Sequence, residues 1–117
     1  MNLPERDWNN LRVLHRVALE RYCTRVLDES RTILEDETRS AHERHLRLHG
    51  LLDKRNQALA AAFDDMRRSM AIPRLAALVN LALVTDEERR EFSAPTRDSA
   101  LALVQVSKPR SSRRRPA

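Results

Sequence analysis

Three of the four histidines, His42, His45 and His49, lie within the stretch SAHERHLRLHG, residues 40–50. On a helix this spacing brings the imidazoles into one sector, where they could share a metal ion. No HExxH motif is present, and the carboxylate–histidine spacing of di-iron bundles is missing, because Arg39 stands three residues before His42. The same residues would suit a pH-sensitive packing edge, since imidazoles titrate near neutrality. The sequence leaves both interpretations open.

Few other residues suggest reaction chemistry. The single cysteine, Cys23, lies between Arg21 and Arg25, a setting that can activate a thiol, although a lone helical cysteine more often fills apolar space. No serine lies in a strand–turn–helix nucleophile motif, and one glycine is too few for a phosphate-cradling loop. We therefore expect a non-enzymatic protein with no cofactor and no small-molecule substrate.

The positive charge is concentrated at the end of the sequence. The last eleven residues, SKPRSSRRRPA, contain no acid and carry five of the 22 basic residues, namely Lys108, Arg110, Arg113, Arg114 and Arg115. The remaining 17 basic residues balance 17 acidic ones. We predict a single helical domain, residues 1–106, and a disordered basic tail, residues 107–117. The tail could bind nucleic acid without reading its sequence, because it has no aromatic side chain, or could simply aid solubility.

Long helices must position these groups. Charged residues make up 33% of the chain, aromatic residues 3%, and the only glycine is Gly50, a composition typical of all-α proteins. No Gly or Pro interrupts residues 5–49, which would form about 67 Å of helix. A ladder of alternating charge at every fourth position supports it: Arg31, Glu35, Arg39, Glu43 and Arg47. We predict one long helix, about residues 4–69, that is bent or reversed near Gly50.

Two or three short helices are expected after the long one. Pro73 begins or kinks a segment that runs to Val84. Thr85 and Glu88 form the pattern of a capping box, which starts a short helix. Ser93 or Ala94 then caps a final helix that extends to about Val106.

An apolar stripe follows the long helix at helical spacing. Its members are Trp8, Leu11, Leu14, Tyr22, Val26, Leu48, Leu52, Leu59, Phe63 and Met66. So long a stripe cannot remain exposed, and its mean step is close to the straight-helix period. We predict an elongated, coiled-coil-like fold in which the stripe packs on a second copy or on a helical partner. The favoured function is a self-associating interaction or scaffold protein. The alternatives are a nucleic-acid accessory protein that uses the tail and a helical metal-binding protein.

The first residues and the most apolar segment of the sequence bear on the location of the protein in the cell. The first residues, MNLPERDW, do not have the pattern of a secretory signal, and the apolar stretch of residues 72–84 is too short to cross a bilayer. We expect a cytoplasmic protein with no membrane partner.

Four segments carry a resemblance to other sequences. ALERYC, SAHERHL, AFDDMRRS and LVTDEERREFSAPTR resemble segments of a group of short bacterial proteins with no assigned function. The resemblance implies an all-helical bacterial protein and brings no catalytic or binding residues.

Overall fold

Two long helices form an antiparallel hairpin. The computed structural model describes residues 3–107, the last three of them by their backbone alone. Helix α1 spans Glu5–Leu34 and α2 spans Ala41–Phe63. Near the open end of the hairpin, the His15 ring lies against Phe63 with its Nε2 atom 3.2 Å from the Phe63 carbonyl oxygen. At the turn, Arg44 donates a hydrogen bond to the carbonyl of Leu34.

The prediction of one helix from about residue 4 to 69 is wrong, because the chain reverses at residues 35–40. The Asp36 carboxylate accepts hydrogen bonds from the backbone N–H and hydroxyl of Thr38 and from Arg39, which fixes the turn. Ser40 and Glu43 then form a reciprocal capping box that starts α2. Polar side chains thus build this turn without glycine or proline, and the loop interrupts the predicted charge ladder.

The C-terminal elements begin close to the predicted positions. After a short 3₁₀ turn, Arg68–Met70, come α3 (Ala71–Asn80), α4 (Asp86–Arg90) and α5 (Ala94–Ser107). The predicted capping box at Thr85 is confirmed, since its hydroxyl accepts from the Glu88 N–H and the Glu88 carboxylate accepts from the Thr85 N–H. These starts were predictable because caps and prolines act within one turn.

The core lies where α3 packs against α1, α2 and α5. Its largest fully buried apolar side chains are Leu11, Leu75, Leu78 and Leu83. Residues 3–107 contain helices and no strands, and they extend over 53 × 34 × 24 Å with a radius of gyration of 17.0 Å. The prediction of an elongated all-α fold is therefore confirmed. The part of the hairpin near the turn at residues 35–40 projects beyond this four-helix core.

Gly50, the predicted bend or reversal, lies inside α2 with a negative φ angle, and a Cβ atom added there would meet nothing within 4 Å. The position that would suit a glycine is instead Ala82, which follows α3 with φ = 59°. Around it the Leu83 N–H bonds to the Leu78 carbonyl and the Ala82 N–H to the Val79 carbonyl, the pattern of a Schellman cap. A residue with a side chain thus occupies a left-handed cap, while the only glycine occupies a helix interior.

Exchanging these two residue types should stabilise the fold. We expect Gly50→Ala to raise the free energy of unfolding by about 0.5–1 kcal/mol, because alanine loses less entropy in a helix. We expect Ala82→Gly to raise it by about 1 kcal/mol, because glycine removes the left-handed strain. Urea unfolding of each variant measures the change. No stabilisation in Ala82→Gly would contradict a left-handed conformation at this residue.

Candidate functional site

The three predicted metal-ligand candidates lie on the solvent side of α2. His42, His45 and His49 are all exposed. In the described part of the chain no group of three or more His, Cys, Asp or Glu side chains converges on a possible metal position. The fourth histidine, His15, is half-buried at the open end of the hairpin, where it lies against Phe63.

Arginine side chains bind the carbonyl groups at the ends of several helices. A helix leaves its last carbonyl groups without partners inside the helix. In this fold, arginines from neighbouring elements donate to carbonyls near three helix ends, and these pairs are Arg44 with Leu34, Arg74 with Ala61, and Arg25 with Leu81 and Ala82. The guanidinium groups of these arginines therefore form hydrogen bonds within the chain that help to hold the elements together.

Arg21 links α1 to the start of α4. Its guanidinium donates to both carboxylate oxygens of Glu88, at 2.7 and 2.8 Å, and to the Leu83 carbonyl at 2.7 Å. The Arg21 hydrogen bonds lower the pKa of Glu88 to about 2, with help from the capping box and against the effect of burial. Glu88 therefore remains ionised at all physiological pH values and serves as a structural anchor. Cys23, which lies between Arg21 and Arg25 in the sequence, is half-buried.

A buried carboxylate joins the two ends of the fold. Asp7 in the first turn of α1 is only 1% exposed and accepts hydrogen bonds from the Ser93 N–H, the Ser93 hydroxyl and the Thr96 hydroxyl. It thus caps the start of α5 from a distant point in the sequence. Burial alone would raise the pKa of Asp7, but these hydrogen bonds and the charge of Arg6 outweigh it and lower the pKa.

A further ion pair holds the middle of the hairpin. Arg55 donates two hydrogen bonds to Glu29, at 2.9 and 2.8 Å, and its carbonyl accepts one from the Tyr22 hydroxyl. The Arg55 hydrogen bonds lower the pKa of Glu29. Sequence reasoning missed this pair and the contacts of Asp7 and Arg21, because each joins residues far apart in the chain.

Most of the predicted apolar stripe packs within the chain itself. Leu11, Leu14, Tyr22 and Phe63 are buried in the core. Trp8, Val26, Leu48, Leu59 and Met66 are half-buried, and Leu52 is exposed. The reversal at residues 35–40 folds the two apolar flanks of the predicted long helix onto each other. The surface that this part of the stripe would offer a partner is therefore largely filled by the chain.

An apolar surface that shares Leu48, Leu52 and Leu59 with this stripe remains partly uncovered on the side of the hairpin away from α3. It consists of residues spaced along one side of each helix, which we call the leucine face: Leu19, Leu27 and Leu34 on α1, and Leu48, Leu52 and Leu59 on α2. Leu27 comes two positions after Arg25, which contacts the end of α3, so the two side chains point to roughly opposite sides of α1.

The two helices bring the leucine face together. Since Arg55 contacts both Tyr22 and Glu29, the antiparallel pairing brings Leu52 close to the level of Leu27. Leu27 is 63% exposed, Leu34 is 53% exposed and Leu52 is 37% exposed. The other three members of the face are half-buried, namely Leu19, Leu48 and Leu59. The half-buried Cys23 lies on the same side of α1. The face is thus apolar and partly open to solvent, since Leu27, Leu34 and Leu52 are exposed while Leu19 and Leu59 also pack against the core.

Two further predictions concern other parts of the chain. The predicted nucleic-acid-binding residues of the tail lie outside the described residues; they are Lys108, Arg110, Arg113, Arg114 and Arg115. None of the helices in residues 3–107 is both long enough and apolar enough to cross a membrane.

Comparison with other proteins brings no match to this all-helical hairpin protein. No protein-family model, no curated protein and no solved structure is significantly similar to the chain. Its functional interpretation therefore depends on its own surfaces.

Proposed function

We propose that this is a non-enzymatic cytoplasmic protein that self-associates through the leucine face. The observation that carries the proposal is the open apolar surface along one side of the α1–α2 hairpin, with Leu27 and Leu34 more than half exposed. Contiguous exposed apolar surface marks interaction sites in soluble proteins. The proposed role is that of an interaction or scaffold protein.

A second copy is the occupant that fits this face best. Two hairpins related by a two-fold axis would cover each other's leucines in a four-helix layer, with the same patch used on both copies. The 17 basic and 17 acidic residues before the tail give the body no net charge, so two copies meet without net repulsion. The flat, two-helix shape of the projecting hairpin also leaves room for such a layer.

A charge placed in the leucine face should disrupt the assembly. We expect Leu27→Glu to weaken self-association by about 100-fold or more, because a two-fold dimer loses two buried leucines, each worth about 1.5–3 kcal/mol. Sedimentation equilibrium measures the dissociation constant. Leu46→Glu is the matched control, since Leu46 is also on the hairpin and 54% exposed but points away from the leucine face.

The control separates a specific face from general loss of hydrophobicity. A wild-type protein that is monomeric at all concentrations would overturn the proposal, and so would equal weakening by Leu27→Glu and Leu46→Glu. A chain ending at Ser107 should keep the wild-type dissociation constant, because the leucine face is intact in it.

Nucleic-acid binding through the basic tail is the second candidate function. The five cations of residues 108–115, with no acid among them, favour it, since neutralised phosphates release counterions. In that case the full chain shifts a DNA or RNA fragment at low salt, and the chain ending at Ser107 does not. Retention of the shift by the shortened chain would assign the binding to another surface.

A further inference from the structure

A basic cavity lies between α1 and α2 in the distal part of the hairpin. It is open to solvent, has a volume of about 350 Å³ and is lined by Ile33 of α1 and by Arg47, Gly50, Leu51, Lys54 and Arg55 of α2. Three cations thus line it, and no carboxylate does. Arg47 and Lys54 point away from Leu52, so this cavity is separate from the leucine face.

Two of the three cations of this cavity are unpaired, and the third, Arg55, is paired with Glu29. Neither Arg47 nor Lys54 takes part in an ion pair or hydrogen bond within the described part of the chain. Arg55 uses Nε and Nη2 on Glu29, which fixes the plane of its guanidinium and leaves Nη1 for another acceptor. Two unpaired cations and one oriented arginine in a concave site favour an anion.

The glycine is a second, independent observation. Gly50 stands between Arg47 and Lys54 on the same flank of α2, and the space where its Cβ would lie is open. A glycine inside a helix costs stability, and nothing in the folded chain requires one here. A bare backbone in a cavity allows close approach of a ligand. Gly50 therefore leaves the backbone of α2 bare and open to solvent beside Arg47 and Lys54.

We propose that this cavity binds a small phosphorylated organic ligand. Arg47, Lys54 and Arg55 hold the phosphate oxygens, since arginine forks and lysine ammonium groups are the usual protein partners of phosphate. Ile33 and Leu51 supply an apolar wall for the organic part. The volume lies at the small end of the range for small-molecule sites, which suits a compact ligand rather than a polymer.

The single glycine provides a direct reporter for the test. Protein labelled with ¹⁵N-glycine should show one dominant backbone amide resonance, that of Gly50, which lines the cavity. Inorganic pyrophosphate and adenosine monophosphate should each move this resonance saturably. Sodium chloride of matched ionic strength should not. A shift that only follows ionic strength, or one produced by a single-stranded oligonucleotide alone, would overturn the proposal.

Variants assign the binding to the named side chains. Arg47→Gln/Lys54→Gln should weaken pyrophosphate binding about 10-fold or more, since both exposed side chains can change without loss of the core. Arg12→Gln/Arg16→Gln removes the same charge from an exposed part of α1 and should leave the affinity unchanged. Equal loss in both pairs would overturn the proposal, because it would reflect net charge alone.

Gly50→Ala distinguishes a binding role from a structural one. Calorimetric titration should show weaker pyrophosphate binding even though the same substitution is expected to stabilise the helix. Unchanged affinity in a stabilised Gly50→Ala protein would contradict the role assigned to the bare backbone. Because Leu27→Glu leaves this cavity intact, failure of self-association and failure of ligand binding are observed separately.

Discussion

Asp7→Ala should lower the free energy of unfolding by about 3 kcal/mol, one of the largest effects of any single substitution in this protein. The carboxylate is buried and accepts three hydrogen bonds, two from Ser93 and one from Thr96. Its removal takes away the cap of α5 and leaves buried donors without acceptors, and each such loss costs about 1–3 kcal/mol. Urea unfolding followed by the fluorescence of Trp8, the only tryptophan and the next residue in α1, measures the change.

Asp28→Ala is the matched control for this prediction. Asp28 is also an aspartate of α1, and it pairs with Arg31 at the surface, where both side chains are more than half exposed. Exposed pairs of this kind contribute little, so the control should change stability by less than about 0.5 kcal/mol. An equal effect of the two substitutions would show that Asp7 does not join α1 to α5.

The contribution of the Asp7 charge should depend on pH in a defined direction. Its pKa is lower in the folded chain than the ordinary value of 3.8. The ionised carboxylate therefore adds stability above about pH 4, and this stability is lost as the pH falls through the folded pKa. The difference in unfolding free energy between the wild type and Asp7→Asn should be constant near neutral pH and shrink in acid. A difference that does not change with pH would contradict the use of the charge.

The sequence predicted the local features of the fold and missed the turn at residues 35–40. The start of α4 at Thr85 was readable, because a capping box works through contacts within one helical turn. The same signal, Ser40 followed three residues later by Glu43, was present in SAHERHL. The absence of Gly and Pro and the regular charge spacing nevertheless favour an unbroken helix at this point. In a chain of this composition, capping boxes thus indicate where one helix ends and the next begins as well as Gly and Pro do.

The apolar stripe shows a different limit of sequence reasoning. Its period identified side chains that are buried, such as Leu11 and Tyr22, but periodicity does not show what buries them. Once the chain reverses, the two flanks can cover each other, and the exposed leucines include Leu27 and Leu34, which the stripe does not contain. The basic cavity was equally invisible, because Ile33 and Lys54 meet only through the hairpin. A one-dimensional pattern identifies faces, whereas sites between helices require the pairing.

Leu78→Ala should lower the free energy of unfolding by about 3–5 kcal/mol, the cost of a cavity that the surrounding core cannot fill. Leu78 is 0% exposed and lies in α3, the helix that packs against α1, α2 and α5. Its carbonyl also accepts the hydrogen bond from Leu83 that closes the cap around Ala82. The substitution therefore weakens the element through which the hairpin and the C-terminal helices are joined.

The measurement is again urea unfolding, with two comparisons that separate packing from loss of any leucine. Leu46→Ala removes the same atoms from an exposed position and should cost less than about 0.5 kcal/mol. Leu78→Met keeps the volume and should cost less than about 1.5 kcal/mol. A loss of under 1 kcal/mol in Leu78→Ala would mean that α3 is not seated between the hairpin and α5. Since neither the leucine face nor the lining of the basic cavity includes a residue of α3, a destabilised but folded Leu78→Ala protein should retain both binding activities.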